Sequence, residues 1–238
     1  MFYKLSDTSN LNAIENDFDA KFRFPKLYEP RAIIDGTVES NLTILTADNP
    51  KIIDYAIWGI LPEDYDDDWD RFQNITNTLN TNVNELDSDE IMYSEAFSRR
   101  RCLIIVNGFF TARIYNGKLL PFHIHLRDHK PFCIAGIYNT LNDGFLTCSL
   151  LVVNFSSSLN EIPHLGKKRP LTFKKSDYNN WLSQGKSNAE LVKLIQNHDA
   201  PDFMSHPIKE EFYERNHVFE KILDHDNYQS IGEHSHLQ

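Results

Sequence analysis

The chain has 238 residues, 41% hydrophobic and 12% aromatic, enough to build one substantial core, and a formal net charge of −10. That charge argues against a generic, salt-driven DNA binder, which needs a basic face, while leaving room for a local basic groove. No apolar run approaches the ~20 residues that cross a bilayer, and MFYKLSDTSN at the start has no apolar stretch behind a basic one, so neither a membrane span nor a secretion signal is expected.

In chain order, Ser9 or Asn10 caps a first helix that carries Leu11, Ile14 and Phe18 on one face. Pro25 and Pro30 bracket an extended stretch, and Leu42 to Leu45 and Tyr55 to Ile60 predict short strands. Glu63 to Asp89 is polar, rich in Asn, Thr and Asp, and predicts a loop-like region. Ile91 to Phe97 predicts a short helix. A β-rich centre follows, with strands over Cys102 to Phe110, Leu119 to Leu126, Phe132 to Tyr138 and Phe145 to Phe155. Asn116-Gly117 and Asn142-Asp143-Gly144 between them are hairpin signals. Tyr178 to Leu182 and Ala189 to Asn197 predict helices, the second burying Leu191, Leu194 and Ile195. No repeat or linker divides the chain. The expectation is one α+β domain over residues 1–228, a curled or closed, barrel-like antiparallel sheet with flanking helices, followed by a flexible tail at 229–238.

The three cysteines, Cys102, Cys133 and Cys148, lie in apolar segments with no His or Cys at ligand spacing. They read as core thiols of a cytoplasmic protein rather than as a disulfide scaffold. His123 and His125 alternate on a strand and so share a face, and His129 follows after a turn. A two-histidine metal site and simple packing are the two readings of this pattern. With no carboxylate placed as a third ligand, packing is preferred, and no metal or cofactor is expected. Acidic residues crowd into Glu63 to Asp70, and basic ones into Arg99-Arg100-Arg101 and Lys167-Lys168-Arg169.

Several motifs occur in an order that resembles the SOS response-associated peptidase (SRAP) family. Trp58-Gly59-Ile60-Leu61-Pro62 resembles its W-G-L-I-P signature, and Arg100-Arg101-Cys102-Leu103-Ile104 with Gly108-Phe109-Phe110 its R-R-C-L-I-P-x-x-G-F-Y-E-W element. Phe132 to Tyr138 resembles F-A-F-A-G-L-W-E, and Ile162-Pro163-His164 with Arg169-Pro170 resembles I-H-x-x-R-M-P, before Asn180-Trp181-Leu182. The resemblance implies a curled sheet with flanking helices and a basic groove for single-stranded DNA. It also implies protection of abasic sites. In that chemistry an N-terminal cysteine, exposed by loss of the initiator methionine, condenses with the ring-opened sugar to a thiazolidine. A Glu after the G-F-Y turn and the His of the I-H element assist proton transfer, and an Asn of an N-A-R-x-E segment positions the site.

The chain departs from that pattern at the chemistry. Phe2 stands for the cysteine, and a phenyl ring cannot close a thiazolidine. Thr111 stands for the glutamate, and a hydroxyl is no acid/base near neutral pH. With Glu85 aligned to the N-A-R-x-E segment, Thr81 falls on the asparagine, with Asn80 and Asn82 as imperfect substitutes. His164 keeps its place. The first expectation is a degenerate member that binds single-stranded or abasic DNA non-covalently. Its groove would use Arg99, Arg100, Arg101, Lys167, Lys168 and Arg169 as cations, with Trp58, Tyr3 and Phe2 as stacking surfaces. A second is an abasic-site lyase using the Met1 α-amine, with an unperturbed pKa near ~8, and His164. A third is a scaffold for a protein partner with no nucleic-acid role.

Overall fold

The computed structural model describes residues 2–86, 91–154, 165, 166, 168–209 and 212. The chain opens with β1 (Lys4–Asp7), α1 (Leu11–Phe18), β2 (Lys21–Phe22), β3 (Arg31–Asp35), β4 (Asn41–Thr46) and β5 (Ile52–Trp58). Next come α2 (Trp69–Ile75), β6 (Asn80–Asn82), α3 (Ile91–Arg99) and the long strands β7 (Arg101–Val106), β8 (Gly108–Tyr115), β9 (Lys118–Leu126), β10 (Phe132–Thr140) and β11 (Leu146–Asn154). It continues with β12 (Lys168–Pro170), α4 (Tyr178–Leu182), α5 (Asn188–Gln196) and β13 (Phe203–Pro207). No helix among the described residues is long and apolar enough to cross a membrane.

Local chemistry explains most of these elements. The Asn10 side chain accepts from the Ala13 amide at 2.8 Å and caps α1. Asn116 and Gly117 both take positive φ, 49° and 76°, as a tight turn requires when it follows the right-handed twist of β8 and β9. Ser187 and Glu190 form a reciprocal capping box on α5. The polar segment after Glu63, expected to be loop-like, instead holds α2 and β6. Asp68 caps α2, and only Trp69 of that helix is buried, donating its indole N–H to the Trp58 carbonyl at 2.9 Å. One buried residue in seven leaves no periodic signal to read. The remainder of that segment from residue 87, and the tail after Tyr228, lie outside the described residues.

Two sheets result. One has five strands in the order β13-β9-β8-β1-β3. The other runs β12-β11-β10-β7-β4-β5-β2, and an additional parallel pairing of β5 with β11 (Ala56 with Leu146, Trp58 with Cys148) closes β4, β5, β7, β10 and β11 into a ring. The curled, barrel-like α+β architecture expected from the sequence is therefore present. Strand alternation sorts side chains into two cores. Cys102, Ile104 and Val106 of β7, with Phe132 and Ile134 of β10, join Phe2, Leu5, Phe109, Phe122 and Ile124 of the five-stranded sheet. Leu103 and Ile105, with Cys133, Ala135 and Ile137, join Phe97, Trp181, Leu191 and Ile195 from the helices.

Candidate functional site

Phe2 precedes β1 and is 8% exposed. Its ring meets Phe109 edge-on, centroids 5.7 Å apart. Its backbone is clasped by one side chain: Asn80 Oδ1 accepts from the Phe2 amide at 3.2 Å, and Asn80 Nδ2 donates to the Phe2 carbonyl at 2.8 Å. Thr111 lies two residues beyond Phe109 on β8, so it shares that face, buried and paired with Phe122. A phenyl ring, an amide and a hydroxyl thus occupy the places around residue two. None of them ionises near neutral pH. The three thiols offer no substitute nucleophile, because complete burial holds Cys102, Cys133 and Cys148 well above the ordinary thiol range.

Thr81 is the residue expected at the asparagine position, but it is Asn80 that reaches residue two. Thr81 Oγ1 instead bonds Ser149 Oγ at 2.8 Å. Neighbouring residues of a strand point to opposite faces, so a one-residue slip in an alignment exchanges the two. Glu85 is exposed on a 3-10 turn, 4.0 Å from Lys168 Nζ. Met1, His164 and Lys167 lie outside the described residues.

Two expected DNA contacts lie in the interior of the fold. Arg101 is wholly buried, and its guanidinium donates to the carbonyl oxygens of Trp181 at 2.9 Å, Phe97 at 3.0 Å and Ser183 at 2.7 Å, and to that of Ser98. These carbonyls end α3 and α4, where backbone acceptors lack helical partners and the helix dipole favours a cation. Arg101 is therefore an internal staple. Trp58 is also wholly buried, with its indole N–H on the Leu79 carbonyl at 3.0 Å, and offers no face for a base. Tyr3 is half-buried against the core. Arg100 is held by Asn139 at 3.0 Å and Glu95 at 3.1 Å. Arg169 is half-buried beside His198, whereas Arg99 and Lys168 are exposed.

The opposite face of the same hairpin is different. His123 and His125 of β9 sit beside His206 of β13, which pairs with His123 across the ladder. The three ring centroids are 5.1 to 5.4 Å apart. His129 stacks on His125 at 4.2 Å. Gly108 makes this packing possible: a Cβ there would fall 2.0 Å from His123 Nε2. Burial, then the neighbouring imidazoles, push the His123 pKa down to about 3, so the ring is neutral. The sequence showed the first two histidines. His206 was missed, since the short β13 carries no alternating pattern that would have marked it as a strand facing β9.

A cavity of about 420 Å³ lies apart from both places, lined in part by Asp7, Phe24, Tyr28, Arg31, Tyr55 and Phe145. Burial raises the Asp7 pKa to about 6, against opposing hydrogen bonds from Tyr28 and Ser9.

The chain resembles known proteins along most of its length. It is 23% identical over 170 residues to the abasic site processing protein YMR114C of Saccharomyces cerevisiae, a match spanning 69% of this chain and 44% of that protein. The chain thus accounts for less than half of that relative's length. A crystal structure of a Bacteroides thetaiotaomicron protein shares the fold with a TM-score of 0.75 at 18% identity, covering 88% of this chain and 93% of that one. A Bordetella bronchiseptica protein shares it with a TM-score of 0.70 at 15% identity, covering 87% and 99%. The profile of the SOS response associated peptidase (SRAP) family matches residues 3–214. With the family match covering most of its length, the chain belongs to the SRAP family.

Proposed function

We propose that this protein serves DNA-damage processing by holding abasic single-stranded DNA without forming a covalent bond to it. The role follows from family membership and from the yeast relative, whose name gives abasic site processing. The observation that carries the non-covalent part is Phe2. A phenyl ring fills the position of the family's nucleophile, packs on Phe109 and is locked through its backbone by Asn80. Thr111, on the same face of β8 as Phe109, supplies no carboxylate. Affinity then rests on exposed cations such as Arg99 and Lys168, and at a net charge of −10 it is weak and steeply salt-dependent.

The test mixes native-terminus protein with a labelled single strand carrying one abasic site, with and without borohydride, beside a matched intact strand. The expected result is no adduct, with salt-sensitive binding that favours the abasic strand. A borohydride-trapped adduct would overturn the non-covalent reading and assign the amine of the N-terminus as a nucleophile. Absence of both adduct and binding would replace the reading with a protein-interaction role.

A further inference from the structure

We propose that His123, His125 and His206 form a binding site for a divalent transition-metal cation of the zinc class, on the face of the β8–β9–β13 sheet opposite residue two. Their donor atoms all lie within 4.8 Å of one another. His125 Nε2 and His206 Nδ1 are 3.1 Å apart. A tetrahedral zinc with Zn–N bonds of about 2.0–2.1 Å separates its donor nitrogens by about 3.3 Å, so this pair already stands at ligand spacing.

The hydrogen bonds around the rings set the tautomers that a metal needs. Asn107 Oδ1, an acceptor only, takes the hydroxyl hydrogen of Ser6 at 3.0 Å. The Ser6 oxygen then accepts from His123 Nε2 at 2.9 Å, which puts the ring hydrogen on Nε2. His123 Nδ1 is left as a bare lone pair, buried and without a hydrogen-bond partner among the described residues. Burying such an acceptor unpaired is unfavourable, and a cation would relieve it. His125 Nδ1 donates to the Leu126 carbonyl at 2.7 Å, so its Nε2 is also a lone pair. Outer partners of this type, a carbonyl and a hydroxyl on the remote ring nitrogen, orient metal-binding histidines generally. Only His206 changes on binding, moving its ring hydrogen from Nδ1 to Nε2 so that Nδ1 can ligate.

Three neutral imidazoles suit zinc, copper and nickel better than magnesium or calcium, which prefer oxygen. Bound metal would fasten the edge strand β13 to β9 by side chains as well as by backbone. The fourth coordination position is left for water or an external ligand. His129 stacks flat on His125 and is not one of the three clustered ligands.

The experiment uses the full chain, free of any affinity tag and stripped with chelator. Zinc chloride is titrated calorimetrically, and cobalt chloride is titrated while the visible spectrum is read. One equivalent of each should bind, with the strong visible bands of four-coordinate cobalt, and zinc should raise the melting temperature. His125→Ala and His206→Ala should each weaken zinc by at least about 10-fold, and Ser6→Ala, which frees the His123 tautomer, by about 10-fold. A His234→Ala/His236→Ala variant controls for the other histidines of the chain and should bind as the parent does. The proposal is overturned by an absent cobalt spectrum with no zinc heat in the parent, or by binding that survives His206→Ala and vanishes in the His234/His236 variant. The cobalt spectrum of the parent decides even where a variant folds poorly.

Discussion

On one face of the β8–β9 ribbon, Phe109, Thr111, Phe122 and Ile124 turn towards Phe2 and the inner core; on the other, Phe110, His123 and His125 turn towards His206. The same ten or so residues of backbone carry both. The inner face presents two phenyl rings, an isoleucine and a hydroxyl, with no thiol, carboxylate or imidazole of its own. It can pack and hydrogen-bond but cannot transfer a proton. The outer face carries three imidazoles, two of them with a lone pair already free for a ligand. The difference teaches that retention of a fold and retention of its reactive groups are separate matters. Packing constrains volume and polarity at residue two, which phenylalanine satisfies, while reactivity demands particular atoms, which it lacks.

The comparison breaks most severely at Phe2. Phe2→Ala should destabilise the protein by about 3 kcal/mol or more, because it empties a buried ring site against Phe109. Denaturant unfolding would measure it, and a change under about 1 kcal/mol would mean the ring is not part of the core. Zinc binding on the other face should survive in this variant. Gly108→Ala breaks the outer face instead. The new Cβ would overlap His123 Nε2 at 2.0 Å and crowd Ser6 Oγ at 2.7 Å, within a buried cluster. A loss of about 2–3 kcal/mol is expected from such overpacking, together with loss of zinc binding, read by the same melts with and without metal.

Next in size is a pH effect on β1, the strand that joins the two faces. The Asp7 pKa is raised to about 6 by burial, so the folded protein holds that proton more tightly than the unfolded chain, whose pKa is near ~3.9. Between those values the native state binds more protons, and the contribution of Asp7 to stability is present below about pH 4 and lost as pH rises through about 6. Asp7→Asn should therefore stabilise the protein at pH 7 by about 2 kcal/mol, with the gain fading towards pH 4. Chemical denaturation across that range checks it; a gain that grows towards low pH would reverse the assignment. The smallest effect is at Thr111. If the hydroxyl does no acid/base work, Thr111→Val should leave binding to abasic DNA unaltered, as fluorescence anisotropy with a labelled strand would show.

Much of the framework was legible before folding, because its signals are local. The Asn10 cap, the Asn116-Gly117 turn and the runs of β9 to β11 depend on neighbouring residues, and each produces the expected element, whereas the run from Cys102 to Phe110, expected as one strand, breaks at Asn107 into β7 and β8 of different sheets. The short α2, β6 and β13 were not legible, since each buries too few side chains to leave a period. Arg101 illustrates the same limit for a single residue. In a run of three arginines it reads as surface charge, and only the meeting of α3 with α4 supplies the carbonyls that make burial favourable.

By itself the sequence determined the family, the barrel-like α+β class and the presence of a phenylalanine at residue two, because those depend on residue identity and on order along the chain. Tertiary structure alone decided that Asn80 rather than Thr81 clasps Phe2, that Trp58 and Arg101 are interior, and that His206 joins His123 and His125 from a strand 81 residues beyond His125. Each of those outcomes turns on which face of a strand meets which neighbour, a relation set by register and sheet closure between segments far apart in the chain.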